Sequence, residues 1–140
     1  MWGGQCIPVW HKSRGIQEFK NLCSEYEYIA IGGFAIKDIK PKEYQYIYKM
    51  IEYAKSKNVK VHGLGFTKVN EIPKGSFFSV DSTRWNCTRF GRIEYYDGKT
   101  IKAIDKRNIG KRIKTEKRNE INRIIFGEWV KFQKYADKYL

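Results

Sequence analysis

Apolar positions along the chain follow two rhythms that take turns. Short unbroken apolar runs mark buried strands, and apolar residues three and four apart mark amphipathic helices. The run "QCIPVWH" at 5–11 predicts a first short strand, and "GIQEFKNLCSEY" at 15–26 a helix with Ile16, Phe19, Leu22 and Cys23 at helical spacing. "YIAIGG" at 28–33 reads as a buried strand. A second helix is expected over 41–58, where Tyr44, Ile47, Tyr48, Ile51 and Ala54 share one face. Pro41 suits its first turn, because the N–H that proline lacks would have no helical partner there. Asn58 is a fair helix stop. "VKVHGLG" at 59–65 predicts another strand, "VNEIP" at 69–73 is too short for a full helix, and "SFFSVDS" at 76–82 predicts a fourth strand. Residues 91–104 form a small hairpin around Asp97-Gly98, a strong turn signal. A long helix fills 115–140, with Thr115 at the cap position and Ile121, Ile124, Ile125, Trp129, Phe132 and Ala136 as its stripe. Gly127 within it costs about 1 kcal/mol relative to alanine.

Alternation of this kind implies an α/β fold with parallel strands joined by helical crossovers, here as one domain over 1–140. In such folds chemistry collects at the carboxyl ends of the strands. The special residues sit there: His11, Gly32-Gly33, His62-Gly63 and Asp81-Ser82-Thr83. They are expected to line one shared face.

Composition narrows the partners. At 140 residues, with 41% hydrophobic and 31% charged positions, the chain is long enough for a core and is not disordered by composition. No apolar run approaches the ~20 residues of a membrane helix, and the N-terminus has no signal-peptide core. The expectation is a soluble cytoplasmic protein with no membrane partner. Cys6, Cys23 and Cys87 are widely spaced and form no CxxC pair, so three reduced thiols and no metal are expected. The formal charge is +13. Between Lys99 and Arg118 lie nine Lys/Arg and two acids, Asp105 and Glu116. With ten Tyr, eight Phe and four Trp, this suits phosphate contact and base stacking, or simply a solvated surface.

Each motif has two readings. Gly32 and Gly33 let a base or phosphate approach the backbone, or make a tight turn before a helix. His62, followed by Gly63, Leu64 and Gly65, is a ligand contact or acid/base group, or a satisfied core histidine; the glycines favour close backbone approach. Asp81, leaving an apolar strand ahead of two hydroxyl residues, is a nucleophile, base or ligand, or the cap of the next turn. Arg84, Arg89 and Arg92 just beyond it bind phosphate or pair with carboxylates.

The strings "YIAIGGFAIKD", "VHGLG", "VDS" and "CTRFGR…YYDG" resemble the second half of the tRNA-guanine transglycosylase family. That superfamily includes DNA deazaguanine transglycosylases and TIM-barrel relatives encoded in phage genomes. The resemblance covers residues 1–100 through Gly32-Gly33-Phe34, Gly63-Leu64-Gly65, Asp81, Thr88-Arg89-Phe90-Gly91-Arg92 and Asp97-Gly98. It implies a queuine/deazaguanine ribosyltransferase-like protein that exchanges guanine in tRNA or DNA for another base, with no cofactor. Asp81 would attack the ribose C1′. Gly32, Gly33 and Phe34 would cradle the base, and His62, Gly63 and Gly65 would lie close to it. Arg84, Arg89, Arg92, Lys111, Arg112 and Lys114 would hold the nucleic acid while the base is turned out. Partners would be tRNA or DNA and a free purine or deazapurine base.

The family's zinc set, three cysteines and a histidine, has no counterpart here, nor does the catalytic aspartate of its first half. A (β/α)8 barrel takes about 250 residues, and four barrel-type strands are half of one. The chain is therefore expected to be the C-terminal half of such a barrel, a fragment or split half inactive by itself. It would be completed by the missing N-terminal half or by a second copy. The resemblance places it in the cytoplasm of a bacterial host cell, a phage genome being one origin it allows. The alternative is a non-catalytic basic protein of phage type that binds nucleic acid or a protein partner.

Overall fold

The structure is a computed structural model and describes residues 6–82, 92–105 and 115–140. Four parallel strands form one sheet: β1 (Val9–Trp10), β2 (Tyr28–Ile31), β3 (Lys60–Gly63) and β4 (Ser79–Val80), in that spatial order. Between them run α1 (Gly15–Glu25), α2 (Tyr44–Ser56) and the single turn α3 (Ile72–Gly75). An antiparallel hairpin follows, β5 (Arg92–Tyr96) with β6 (Ile101–Asp105), and then α4 (Thr115–Tyr139). The chain divides into two compact units, one holding the four-stranded sheet and α1–α3, the other holding residues 68–71, the hairpin and α4.

In the first unit α1 and α2 pack on one face of the sheet. The register aligns Val9, Ala30, His62 and Ser79 in one row and Trp10, Ile31, Gly63 and Val80 in the next. Neighbouring residues of a strand point to opposite faces. Trp10, Ile29, Ile31 and Val61 therefore share the face that packs on α1 and α2, each at most 2% exposed. The Trp10 indole N–H donates to the Gly15 carbonyl at 2.8 Å, and its ring meets Phe19 edge-on at 5.8 Å. The helices use the stripes that periodicity predicts. Phe19, Leu22 and Cys23 are buried on α1, and Tyr44, Ile47, Tyr48, Met50, Ile51 and Ala54 on α2. Ile16 is the exception at 40% exposed, one turn ahead of the covered part of α1.

Pro41 opens a 3-10 turn (Pro41–Glu43) that leads into α2. There the Glu43 carboxylate accepts from the Lys40 N–H at 2.9 Å and pairs with Lys12 at 2.6 Å. Asn58 takes a left-handed conformation (φ 60°) just past the end of α2, and the Val59 N–H closes back on the Ala54 carbonyl. That reversal passes the chain straight into β3. Strands β1 and β4 are shorter than their apolar runs, two residues each. The residues C-terminal to them turn into loops that carry polar groups.

The second unit is an α/β hairpin package. Glu94 is fully buried on β5. Tyr96 packs on Phe132 and Tyr135 of α4 at 6.1 and 5.9 Å, and its N–H donates to the Glu128 carboxylate at 3.2 Å. The Tyr135 hydroxyl donates to the Val69 carbonyl at 3.2 Å. Among the described residues Ile125, Phe132 and Ala136 are the buried positions of α4, whereas Ile124 is 58% exposed and falls off the stripe. Among the described residues no helix is long and apolar enough to cross a membrane.

Candidate functional site at the carboxyl edge of the parallel sheet

Ser79 and His62 are register partners, so their side chains leave the same face of the sheet. This is the face opposite to the one α1 and α2 cover. The His62 Nδ1 lies 2.7 Å from the Ser79 hydroxyl, which in turn lies 2.7 Å from the Tyr28 hydroxyl. Tyr28 shares this face through Ala30, two residues along β2. Beyond β4, two residues past Ser79, stands Asp81. Its Oδ1 accepts from the Gly65 N–H at 2.6 Å and lies 3.6 Å from His62 Nε2. Three strands thus contribute to one connected run, Tyr28–Ser79–His62–Asp81–Gly65. Its inner end is sheltered, with the His62 side chain 16% exposed, and its outer end is open, with the Asp81 side chain 50% exposed.

Gly65 is required by this geometry. Its φ is +69°, and a Cβ there would lie 2.7 Å from that of Ala35. Gly32 is needed for another reason, because a Cβ on it would lie 2.6 Å from the His11 imidazole. The histidine at the end of β1 therefore lies across the end of β2. Protein atoms also fill the space beside the other two glycines of the predicted site. Ile39 and Asp38 stand beside Gly33, and Phe77 and Phe66 beside Gly63. Phe34 is 9% exposed, in a cluster with Tyr44, Phe66 and Phe77 at centroid distances of 4.8–6.0 Å. Gly33, Gly63 and Phe34 thus border buried packing, and of the run only Asp81, at its outer end, is half-exposed.

Near Tyr28 on the same unit lies Phe78, 51% exposed. Tyr28 meets its ring edge-on at 5.5 Å, and the Lys60 ammonium stands 4.6 Å from its centroid. Such a cation–aromatic pair is a surface on which a base can stack.

Among the predicted basic contacts, Arg84, Arg89, Lys111, Arg112 and Lys114 lie outside the described residues, and Arg92 opens β5 opposite Asp105. Asp97 lies in the other unit, at the hairpin turn. Its carboxylate accepts from the Lys99 and Thr100 N–H groups at 2.9 and 2.8 Å and pairs with Lys102 at 2.7 Å. The Lys102 contact first, and then the two amides, hold its carboxyl well below the usual aspartate range. Among the described residues no group of three or more His, Cys, Asp or Glu side chains is placed to hold a metal ion.

Tyr28 and Ser79 are the site residues that sequence reasoning missed. The available signal was their period-2 spacing from Ala30 and Asp81, but only the strand register says that they meet.

The chain matches no protein-family model, no curated protein and no solved structure.

Proposed function

We propose that the chain is half of a transglycosylase-like (β/α)8 barrel that exchanges a guanine base in tRNA or DNA, with Asp81 as the nucleophilic carboxylate. One observation carries this reading. Asp81 stands half-exposed at the carboxyl end of a four-stranded parallel sheet, with its Oδ1 held by the Gly65 N–H and facing His62. A carboxylate anchored by a backbone N–H keeps a fixed direction of attack, and fixing the reacting atom in advance lowers the entropic part of the barrier. An oxygen of Asp81 bonds to C1′ as the C1′–N bond breaks, and the electron pair departs with the base. The incoming base then re-forms a C1′–N bond and the carboxylate is released. One proton leaves with the first base and one is returned by the second, so the exchange consumes no reagent. Splitting one substitution into two easier steps is the advantage of covalent catalysis, through an oxocarbenium-like transition state. The sheet face that carries Tyr28, His62 and Ser79 is the inner face of the barrel, completed by a second half or a second copy. The net charge of +13 supports a nucleic-acid substrate.

The test is incorporation of labelled guanine into tRNA and into DNA. It is run with the chain alone and with the products of the reading frames that flank its gene. Incorporation that Asp81→Asn abolishes is the expected result; incorporation that survives Asp81→Asn overturns the assignment. No incorporation under any condition favours the second reading, a non-catalytic basic nucleic-acid-binding protein, which the charge alone supports. Its binding would be indifferent to Asp81.

A further inference from the structure

The run of side chains behind Asp81 has a direction. Asp81, as a carboxylate, only accepts hydrogen bonds. It therefore favours an N–H on the imidazole edge that faces it, at Nε2, across 3.6 Å. This separation is longer than a hydrogen bond yet close enough for the charge to bias the ring. With the proton on Nε2, the neutral ring accepts at Nδ1. The atom 2.7 Å from Nδ1 is the Ser79 hydroxyl, which donates to it. Ser79 then accepts from the Tyr28 hydroxyl at 2.7 Å. Two donors in the series then have acceptors at 2.7 Å, Tyr28 O–H to Ser79 and Ser79 O–H to His62 Nδ1, and the third, His62 Nε2–H, faces the Asp81 carboxylate.

We infer that Ser79 and Tyr28 are positioning residues that lock His62 as its Nε2–H tautomer, so that the site offers a ligand a fixed N–H donor beside the Asp81 carboxylate. Two other basic side chains belong to this sheet. Lys60 lies two residues before His62 on the same face of β3. His11, from β1, packs over Gly32 at the end of β2. A hydroxyl can also accept from an Nδ1–H, so the Asp81 charge facing Nε2 sets the direction of the series, and the Ser79 hydroxyl, held by Tyr28, fixes it. A donor next to a carboxylate selects a ligand atom that accepts, such as a base carbonyl or an unprotonated ring nitrogen. That step deepens the transglycosylase reading and rests on it. The tautomer itself does not, because it is set by this chain's own side chains.

The test is nitrogen-15 NMR of the imidazoles in the full chain, at a pH where both rings are neutral. The chain has two histidines, and His11→Gln assigns them. The expected spectrum shows His62 with an acceptor-type Nδ1 and a protonated Nε2. Ser79→Ala should move both signals toward the averaged values of a tautomer mixture, Tyr28→Phe should move them less, and Ser79→Thr, which keeps a hydroxyl in a strand-compatible residue, should restore the original shifts. Three results would each overturn the inference: a dominant Nδ1–H signal in the unaltered chain, His62 shifts that Ser79→Ala leaves unchanged, or a folded Ser79→Thr variant with the spectrum of Ser79→Ala. The spectrum answers whether or not guanine exchange is observed, so failure of this inference is separate from failure of the transglycosylase reading.

Discussion

At Asp97 one carboxylate closes a hairpin by accepting two backbone N–H groups and one ammonium. The folded state holds its proton more weakly than the unfolded chain does, so the stabilisation is present above the ordinary aspartate value near 4. It is lost as pH falls from there through the lower folded value. Protection of the β5 and β6 amides, taken relative to the intrinsic exchange rate, should therefore fall below about pH 4, and Asp97→Ala should show that loss of protection already at neutral pH. Cys23 has the opposite linkage. Burial pushes its thiol up to about 11. The unfolded thiol ionises near 8.5, so global stability should fall between there and about 11, and Cys23→Ala should flatten that slope in urea titrations. Cys6 is exposed and Cys23 buried, so Cys6 should alkylate promptly and Cys23 only on unfolding. Two glycines separate conformational strain from collision. Gly98 has φ +91° with open space where a Cβ would go, whereas Gly65 has φ +69° and Ala35 at 2.7 Å. Alanine at Gly98 should cost about 1–2 kcal/mol for the left-handed backbone alone. At Gly65 the cost should be larger, measured by urea unfolding, because the collision adds to it.

Among the elements, α4 shows most clearly what periodicity can and cannot say. Ile125, Phe132 and Ala136 were legible as a stripe and are buried, but Ile124, adjacent in sequence and equally apolar, is exposed. A stripe read from spacing is wider than the contact it makes, because the neighbour's shape sets its edge. A methyl group on Gly127 would meet nothing within 4 Å, so Gly127→Ala should raise stability by about 1 kcal/mol. Ile125→Ala should lower it by about 2–5 kcal/mol through the cavity it leaves, and Ile124→Ala should change it little; thermal unfolding distinguishes the three. The hairpin was legible at Asp97-Gly98, yet its connection is four residues long, from Asp97 to Thr100, between the paired Tyr96 and Ile101. The Asp97 side chain, bonding forward to the next amides, replaces the tight two-residue turn.

For the molecule as a whole, the charge of +13 predicts a steep salt dependence of nucleic-acid binding. If Lys111, Arg112 and Lys114 each contact a phosphate, neutralising all three should reduce the slope of log K against log salt by about three. Fluorescence anisotropy between about 50 and 200 mM salt, the range over which such slopes are steep, measures it. An unchanged slope would remove these residues from the interface. The order and type of the elements were determined by the sequence alone: parallel strands separated by helices, a hairpin, and a long final helix. Local spacing suffices for that, because each element is recognised by its own apolar period. The tertiary structure alone decided which side chains meet. Tyr28 and Ser79 are 51 residues apart and Ser79 and His62 are 17 apart, yet they bond in series. A shift of one residue in strand register would turn every one of these groups to the opposite face. The glycines at the strand ends show the same division. Their positions were visible in the chain, but the atoms they make room for, His11 beside Gly32 and Ala35 beside Gly65, come from other segments that only folding brings near.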